Sequence, residues 1–342
     1  MGPARPKARS GVTRLRDLGR GCRLKSAISL VPSATDIVVA LGAGELLVGL
    51  SADCDQPDPA APRPVVTRPM IDPASAAADP SGVDAAVRAQ MAAGGVLYTL
   101  DVDLVAALAP DVVFAQDECA VCALPSSEVG AVLARGGVKC EIVSLDPVDL
   151  EGVLSTFSVV GRALGLAAEG AALEASCRDR LGRLGAAAGT GRPRPRVVVL
   201  DWVDPPFVAG NWVPDLVRVA GGEPLLGQPG TPSRQSSLEE ISSCEADVIV
   251  VAPCGLDLDS ARLGAEELAR VLRERAKVPV GIGKAEARAS GPRPRILAFD
   301  GRLWFSRPGP RLVQGAEALS AWLAGAAPAG DVMSIEISEV TE

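Results

Sequence analysis

Four short runs of branched apolar residues constrain the fold of this chain most, because each run ends in a polar or cysteine-bearing loop. They occupy 26–36, 112–124, 196–206 and 247–256. Apolar runs without alternation are typical of strands covered on both faces, which indicates a parallel sheet with helices on each side. In such sheets, ligands bind beyond the carboxyl ends of the strands. The sequence therefore predicts an α/β protein whose site is built from these four loops.

The order of the predicted elements divides the chain into two Rossmann-like β/α lobes. The first lobe is predicted at 26–146 and the second at 185–324. Between them, 147–184 has a helical pattern that no strand interrupts, which predicts one long connecting helix. Residues 1–25 are basic and predict a disordered tail or an organellar transit segment, and 325–342 predict a disordered tail. We expect the ligand crevice to lie between the lobes.

Charge and hydropathy exclude two classes of protein. The chain of 342 residues has a net charge of −8 at pH 7 and a pI near 4.9, so nucleic-acid binding has no electrostatic support. No apolar run approaches the roughly 18 residues that a membrane span requires. A transmembrane segment is therefore not expected.

The amino terminus leads to a prediction about localisation. It is rich in arginine and lacks the apolar stretch of a secretory signal peptide. The sequence therefore predicts a cytoplasmic or organellar protein that is not secreted. A permease partner is then not expected, because such a partner needs a binding protein that has been exported.

The chain contains no histidine, which restricts its chemistry. A Ser-His-Asp or Cys-His nucleophile is impossible, and so is a metal site with histidine ligands. No catalytic residue is assigned from the sequence, and we expect a binding protein rather than an enzyme.

Cysteines follow three of the predicted strands. Cys54, Cys119, Cys122 and Cys254 come from strand ends that should converge on the crevice. Four thiolates can bind zinc tetrahedrally or hold an iron–sulfur cluster. Two alternatives stay open: the side chains are small packing residues, or Cys119 and Cys122 form a redox pair.

Aromatic residues are concentrated in one loop of the second lobe. Trp202, Phe207 and Trp212 lie within eleven residues of a chain that is 3% aromatic. Flat aromatic faces suit stacking on a macrocycle or another planar ligand. The alternative is that these side chains anchor the loop to the core of the lobe.

Four further residues are candidates for contact with an anionic group on a ligand. Arg68 and Arg307 lie in predicted loops and offer guanidinium groups to a phosphate or carboxylate. Ser33 and Thr35 lie at the start of a predicted helix, where hydroxyl donors and the helix dipole favour an anion. Solvated arginines and ordinary helix capping are the alternatives.

Several motifs together resemble a known family. They are SLVPSATDIVVALG at 29–42, SADCDQP at 51–57, PVVTRP at 64–69, LAPDVVFAQDECAVCA at 108–123, DWVDPPFVAGNWVPDLVRVAGG at 201–222, APCG at 252–255 and WFSRPGPRLVQG at 304–315. In these segments the chain resembles the class III periplasmic-binding-protein fold, in a cobalamin-binding-like, non-secreted branch with an iron/cobalamin periplasmic-binding domain. It departs from that branch at Ala52 and Asn211, where histidine is common.

The resemblance implies a function. It predicts two lobes on a rigid connecting helix, limited lobe closure, and non-enzymatic binding of a cobalamin-like corrinoid or another metal chelate between the lobes. One alternative is a zinc or iron–sulfur protein with the four cysteines as ligands. Another is a thiol-dependent enzyme that acts on a corrinoid.

Overall fold

The secondary structure alternates strands and helices throughout. The computed structural model describes residues 23–71, 80–117, 124–188, 193–277, 294–327 and 332–335. The strands are β1 (Ala27–Ser29), β2 (Leu47–Leu50), β3 (Thr67–Pro69), β4 (Tyr98–Leu100), β5 (Val112–Ala115), β6 (Glu141–Ser144), β7 (Arg196–Val203), β8 (Pro206–Val208), β9 (Glu223–Pro224), β10 (Arg234–Gln235), β11 (Val248–Val251), β12 (Arg295–Phe299) and β13 (Val332–Ile335). The helices are α1 (Pro32–Ala40), α2 (Pro80–Ala92), α3 (Val102–Leu108), α4 (Ser126–Arg135), α5 (Leu150–Leu164), α6 (Ala167–Ala188), α7 (Val213–Val219), α8 (Leu238–Ser243), α9 (Leu258–Lys277), α10 (Gly301–Trp304) and α11 (Leu312–Leu323).

The amino-terminal lobe is built on a parallel sheet of four strands in the order β2-β1-β5-β6. Every residue of β1 and β5 is buried, as expected for strands covered on both faces. A separate antiparallel pair, β3 and β4, stands beside this sheet and leads into and out of α2. The predicted parallel α/β architecture is confirmed for this lobe.

The carboxyl-terminal lobe has a mixed sheet. Its centre is parallel, with β11 between β7 and β12. At one edge, β8 and β10 run antiparallel to their neighbours, and at the other edge β13 runs antiparallel to β12. The sequence predicted an unstructured tail after Gly325, and the structure corrects this for β13, whose backbone completes the sheet edge.

The predicted single connecting helix over 147–184 is two helices. α5 ends at Leu164 because Gly165 adopts a left-handed conformation with φ 81°, and α6 begins at Ala167. The two helices form an antiparallel hairpin, in which Ser158 donates to Glu174 and Arg178 pairs with Glu151. The apolar pattern continued across the break, so the periodicity alone concealed the turn.

The hairpin joins the cores of the two lobes. A single buried cluster includes Phe114 of the first lobe, Phe157 of α5, Leu181 of α6 and Phe299 of the second lobe. Arg180 of α6 also forms two hydrogen bonds to Glu317 of α11. Because one apolar core continues through the hairpin, the two lobes are held in a fixed relation on this side of the molecule.

Candidate functional site

A row of two aromatic side chains and one amide marks the face of the second lobe that Arg88 of the first lobe contacts. The strand register places Trp202 opposite Phe207, and Phe207 opposite Gln235, on the neighbouring strands β7, β8 and β10. Directly opposed residues share one face of a sheet, with Cβ atoms about 5 Å apart. The three side chains therefore form a continuous row, which we call the platform.

A β-bulge in β7 directs Trp202 to this face. The pairing of β7 with β8 shifts between Leu200 and Trp202, so Asp201 is the extra residue. Leu200 and Val203 both pack in the core cluster on the other face of the sheet. Without the bulge, alternation would place Trp202 on the same side as Leu200 and bury it among helices.

Arg88 of the first lobe reaches the platform. Its guanidinium carbon lies 5.9 Å from the centre of the Phe207 ring, and its Nη2 donates to Gln235 Oε1 over 3.1 Å. On its own helix, Nε donates to Asp84 Oδ2 at 2.7 Å. This mouth contact, formed by Arg88, Phe207 and Gln235, spans the two lobes, and its arginine side chain is 53% exposed.

Asp201 lies beside the platform at the carboxyl end of β7. Burial raises the pKa of its carboxyl to about 6, while a hydrogen bond with the Ser233 side chain acts in the opposite direction. A carboxyl with this pKa changes its charge in mildly acidic solution. The site therefore contains an acid that is close to half protonated near pH 6.

A second interlobe contact joins α1 and the loop after β2 to the loop between α10 and α11. Arg307 of the second lobe donates to Asp55 Oδ2 over 2.6 Å and to the Asp53 carbonyl oxygen over 3.3 Å. Its Nη1 also lies 3.9 Å from Asp36 Oδ2, and Arg311 Nη2 lies 3.9 Å from Asp36 Oδ1. We call these residues the base contact.

The base contact has a buried centre, while Asp55 and Arg311 at its edge are 44% and 39% exposed. The side chains of Arg307 and Asp36 are 9% and 6% exposed. Burial raises the pKa of the Asp36 carboxyl, Arg311 and Arg307 oppose this shift, and Asp55 adds to it. Arg307 was predicted as a ligand clamp, but here its guanidinium is engaged by acids of the opposite lobe.

Ser33 and Thr35 lie where α1 meets this region. Both side chains are buried, and Thr35 lies beside the Cys54 thiol, whose pKa it acts to lower. Val31, which precedes the helix, provides no side-chain cap. The structure places the two hydroxyl residues near the base contact, and their contact with a ligand stays a prediction.

Tyr98 and Asp53 form a polar pair that the sequence did not reveal. The Tyr98 side chain hydrogen-bonds to the Asp53 carboxyl and opposes the rise in pKa that burial causes there. Tyr98 is the single tyrosine of the chain. No motif identified it, because the pairing depends on β4 lying beside the loop after β2.

The remaining predicted ligand residues are separated from the platform. Trp212 is buried at the start of α7, where its Nε1 donates to the Phe305 carbonyl oxygen at 2.8 Å. This is the position expected from the alternative interpretation, in which the side chain anchors the loop. Arg68 lies on β3 and is exposed, with no ion pair to any residue that the structure describes.

The cysteine prediction is only partly accessible to the structure, because Cys119 and Cys122 lie outside the described residues. Cys54 is partly buried against the core, accepts or donates a 3.2 Å hydrogen bond with Ser51 Oγ, and has a thiol pKa raised by burial. Cys254 is exposed. Within the described ranges, no group of three or more His, Cys, Asp or Glu side chains is placed to hold a metal ion.

Sequence reasoning also missed Arg88, Gln235, Asp36 and Arg311. Arg88 lies on α2, and nothing local distinguishes it from other helical arginines. Asp36 lies in the first turns of α1 and has no sequence feature that marks it as a partner of Arg307. Only the meeting of the two lobes gives these residues their partners.

None of the helices in the described part of the chain is both long enough and apolar enough to cross a membrane.

Comparison with known families gives a match over most of the chain. The family described as "Periplasmic binding protein" matches residues 28–272. No curated protein sequence matches the chain.

Solved structures share the fold. A periplasmic haem-binding protein from Pseudomonas aeruginosa is 24% identical, with a TM-score of 0.62 over 92% of this chain and 99% of that one. The periplasmic vitamin B12 binding protein of Vibrio cholerae is 18% identical, with a TM-score of 0.59 over 88% and 97%. A periplasmic haem-binding protein from Roseiflexus sp. RS-1 is 21% identical, with a TM-score of 0.56 over 89% and 98%.

These findings correct the predicted localisation. The matching family and these solved structures are periplasmic binding proteins, so the prediction of a cytoplasmic or organellar protein that is not secreted is wrong. That prediction gave too much weight to a short basic segment. The expectation of no permease partner rested on it and loses its support.

Proposed function

This chain belongs to the periplasmic binding protein family, and from that premise we propose that it binds a planar metal-containing macrocycle, a haem or a corrinoid, between its lobes without chemical conversion. Structural relatives include proteins described as binding haem and vitamin B12. These ligands share a flat macrocyclic ring. The corrinoid expected from the resemblance is one member of this class.

The platform is the observation that carries the proposal. Trp202 and Phe207 are neighbours on one face of the sheet and are partly exposed toward the opposite lobe. Adjacent strands lie about 4.8 Å apart, so the two aromatic side chains with Gln235 beside them span about 10 Å, and the aromatic part offers a stacking surface to one side of a flat macrocycle. Offset stacking on such a row combines apolar burial with favourable aromatic geometry.

The protein contributes positioning rather than catalysis in this proposal. The absence of histidine leaves no imidazole ligand for the metal of the macrocycle. The thiolate zinc or iron–sulfur site stays a prediction that depends on Cys119 and Cys122. Cys54 packs against the core and hydrogen-bonds to Ser51 Oγ, so its position is equally explained by packing.

Delivery to a membrane permease is consistent with the family. One structural relative is described as a substrate-binding protein of an ABC transporter from Listeria monocytogenes, with 16% identity and a TM-score of 0.58. We include such a partner in the proposal. Pull-down of a permease from membranes by the macrocycle-loaded protein, and not by the apo form, would support it.

The proposal is tested by titrating the purified chain with hemin, cobinamide and cyanocobalamin, followed by visible absorption. We expect saturable binding of at least one of them at one equivalent. In Trp202→Ala the dissociation constant should rise about tenfold, the scale of one lost stacking contact with its buried area. Leu263→Ala, which removes an exposed apolar side chain from α9, is the control. Lack of binding of all three macrocycles by the unaltered chain would overturn the proposal.

A further inference from the structure

The side chain that covers the platform is a cation from the opposite lobe. Arg88 lies over the Phe207 ring at 5.9 Å and donates to Gln235, so it touches two of the three platform residues. A planar ligand that stacks on Phe207 needs the same ring face. Binding therefore requires the Arg88 guanidinium to give up its contact with the ring.

A displaced guanidinium needs a new partner. A guanidinium has five N–H donors, of which Asp84 and Gln235 accept one each in the structure. The side chain is 53% exposed, so its remaining donors are accessible from the cleft. Its contact with Phe207 is at the outer limit of a cation–π interaction and is weak at an exposed site, so a ligand can replace it at small cost.

The other arginine at this sheet edge already has an acidic partner. The neighbouring arginine of β10, Arg234, is engaged by both carboxylate oxygens of Glu240, with distances of 3.0 and 2.6 Å. Asp201 adds an acid at the end of β7. Arg88 therefore brings a cation with unused N–H donors to the platform of a chain whose net charge is −8.

We infer that Arg88 determines ligand specificity: its guanidinium exchanges the Phe207 ring for a carboxylate on the edge of the bound macrocycle. This inference rests on the proposed function and narrows it. The preferred ligand is an anionic macrocycle with peripheral carboxylates, such as a haem, rather than a neutral macrocycle whose edge carries amides. The flat ring stacks on the platform while Arg88 closes over its charged edge from the first lobe.

Comparative titration tests this assignment. Hemin, which carries carboxylates, and dicyanocobinamide, whose edge carries amides and which lacks the phosphodiester of cyanocobalamin, are titrated into the unaltered chain and into Arg88→Gln. We expect hemin to bind the unaltered chain more tightly than dicyanocobinamide. Arg88→Gln should weaken hemin binding at least about tenfold, as expected for a lost charged hydrogen bond, and should change dicyanocobinamide binding less than about twofold. The hemin affinity of Arg88→Lys should lie between those of the unaltered chain and Arg88→Gln, because lysine keeps the positive charge but lacks the planar set of paired N–H donors of a guanidinium.

Arg218→Gln is the matched control. It removes the same charge from a side chain of similar exposure, paired with Asp215 three residues away on α7. We expect its hemin affinity to equal that of the unaltered chain. An equal loss in Arg88→Gln and Arg218→Gln, an equal loss for both ligands, or tighter binding of dicyanocobinamide by the unaltered chain would each overturn the assignment and leave macrocycle binding standing. If the unaltered chain binds none of hemin, cobinamide and cyanocobalamin, the proposed function itself fails.

Discussion

Among the described residues, the two lobes meet at two charged contacts that differ in the burial of the arginine and in its partners across the interface. The base contact places Arg307 and Asp36 out of solvent, with side chains 9% and 6% exposed. The mouth contact is made by Arg88, whose side chain is 53% exposed. At the base, the Arg307 guanidinium contacts carboxylates of the opposite lobe. At the mouth, the Arg88 guanidinium contacts the Phe207 ring and the Gln235 side-chain amide across the interface.

The difference in burial indicates that the two contacts contribute unequally to the stability of the protein. A buried charge that loses its partner is strongly destabilising, since neither water nor another group replaces the lost interaction. An exposed ion contact contributes little, because water competes for both groups. The base contact therefore fixes how the lobes are joined, and the mouth contact is weak enough for a ligand to replace.

The largest effect is expected from Arg307→Met. It leaves Asp36 buried beside Arg311, 3.9 Å away, as its one remaining cation among the described residues. We expect a loss of about 3 to 5 kcal/mol in the free energy of unfolding, the range for breaking a buried ion pair. Urea unfolding followed by far-UV circular dichroism measures it.

A second substitution shows whether the lost stability comes from the Asp36 carboxylate, which no longer has Arg307 as its partner. Adding Asp36→Asn to Arg307→Met should restore part of the stability, because the double variant no longer buries an unpaired charge. Additive losses in the double variant would contradict the assignment of Asp36 as the partner that matters.

Gly161→Ala is the next largest change, and it acts on the helical hairpin that supports the base. A Cβ at this position would lie 2.7 Å from the Leu166 carbonyl oxygen and 2.8 Å from Gly170 Cα. Both are backbone atoms, so α5 and α6 must move apart, at a cost of about 1 to 3 kcal/mol. Gly182→Ala on the exposed side of α6 meets nothing within 4 Å and should instead stabilise the protein by about 0.5 to 1 kcal/mol. Thermal unfolding of both variants checks the contrast, and equal signs would contradict it.

The base contact should also respond to pH through Asp36. Burial raises the pKa of this carboxyl above its ordinary value of 3.8, so the folded state holds the proton more strongly than the unfolded state. The contribution of Asp36 to stability therefore falls as pH rises from about the unfolded value through the folded one. The difference in unfolding free energy between the unaltered chain and Asp36→Asn, measured at intervals from pH 4 to 7, should shift steadily against the unaltered chain. A difference independent of pH would show that the carboxyl titrates alike in both states.

The sequence predicted the helices and strands of both lobes better than it predicted the contacts between the lobes. The buried strands around Val112 and Val248 were recognisable because nothing polar interrupts them. The turn at Gly165 was hidden, since the apolar positions of α5 and α6 continue across it. The partners of Arg307 lie about 250 positions away in the chain, and no local pattern encodes such a pairing.

The candidate site was only partly predictable, because its interlobe contacts also depend on residues that are distant in the sequence. Trp202 and Phe207 were identified from their concentration in one loop, and the bulge at Asp201 then gave them a shared face. Trp212 belonged to the same concentration of aromatics but lies in the core, because α7 begins there and its indole reaches Phe305. No sequence pattern identified Arg88, because its contacts with Phe207 and Gln235 form only when the second lobe lies opposite α2.

The smallest effect on stability is expected at the mouth. Arg88→Gln and Gln235→Ala should each change the free energy of unfolding by less than about 1 kcal/mol, and their coupling in a double-mutant cycle should be below about 0.5 kcal/mol. Urea unfolding at neutral pH, with unchanged denaturant dependence, measures both. A loss above about 2 kcal/mol for Arg88→Gln would place the mouth in the same class as the base. In that case Arg88 would be too firmly held to leave Phe207, and a planar ligand would have to reach the cleft with the mouth contact intact.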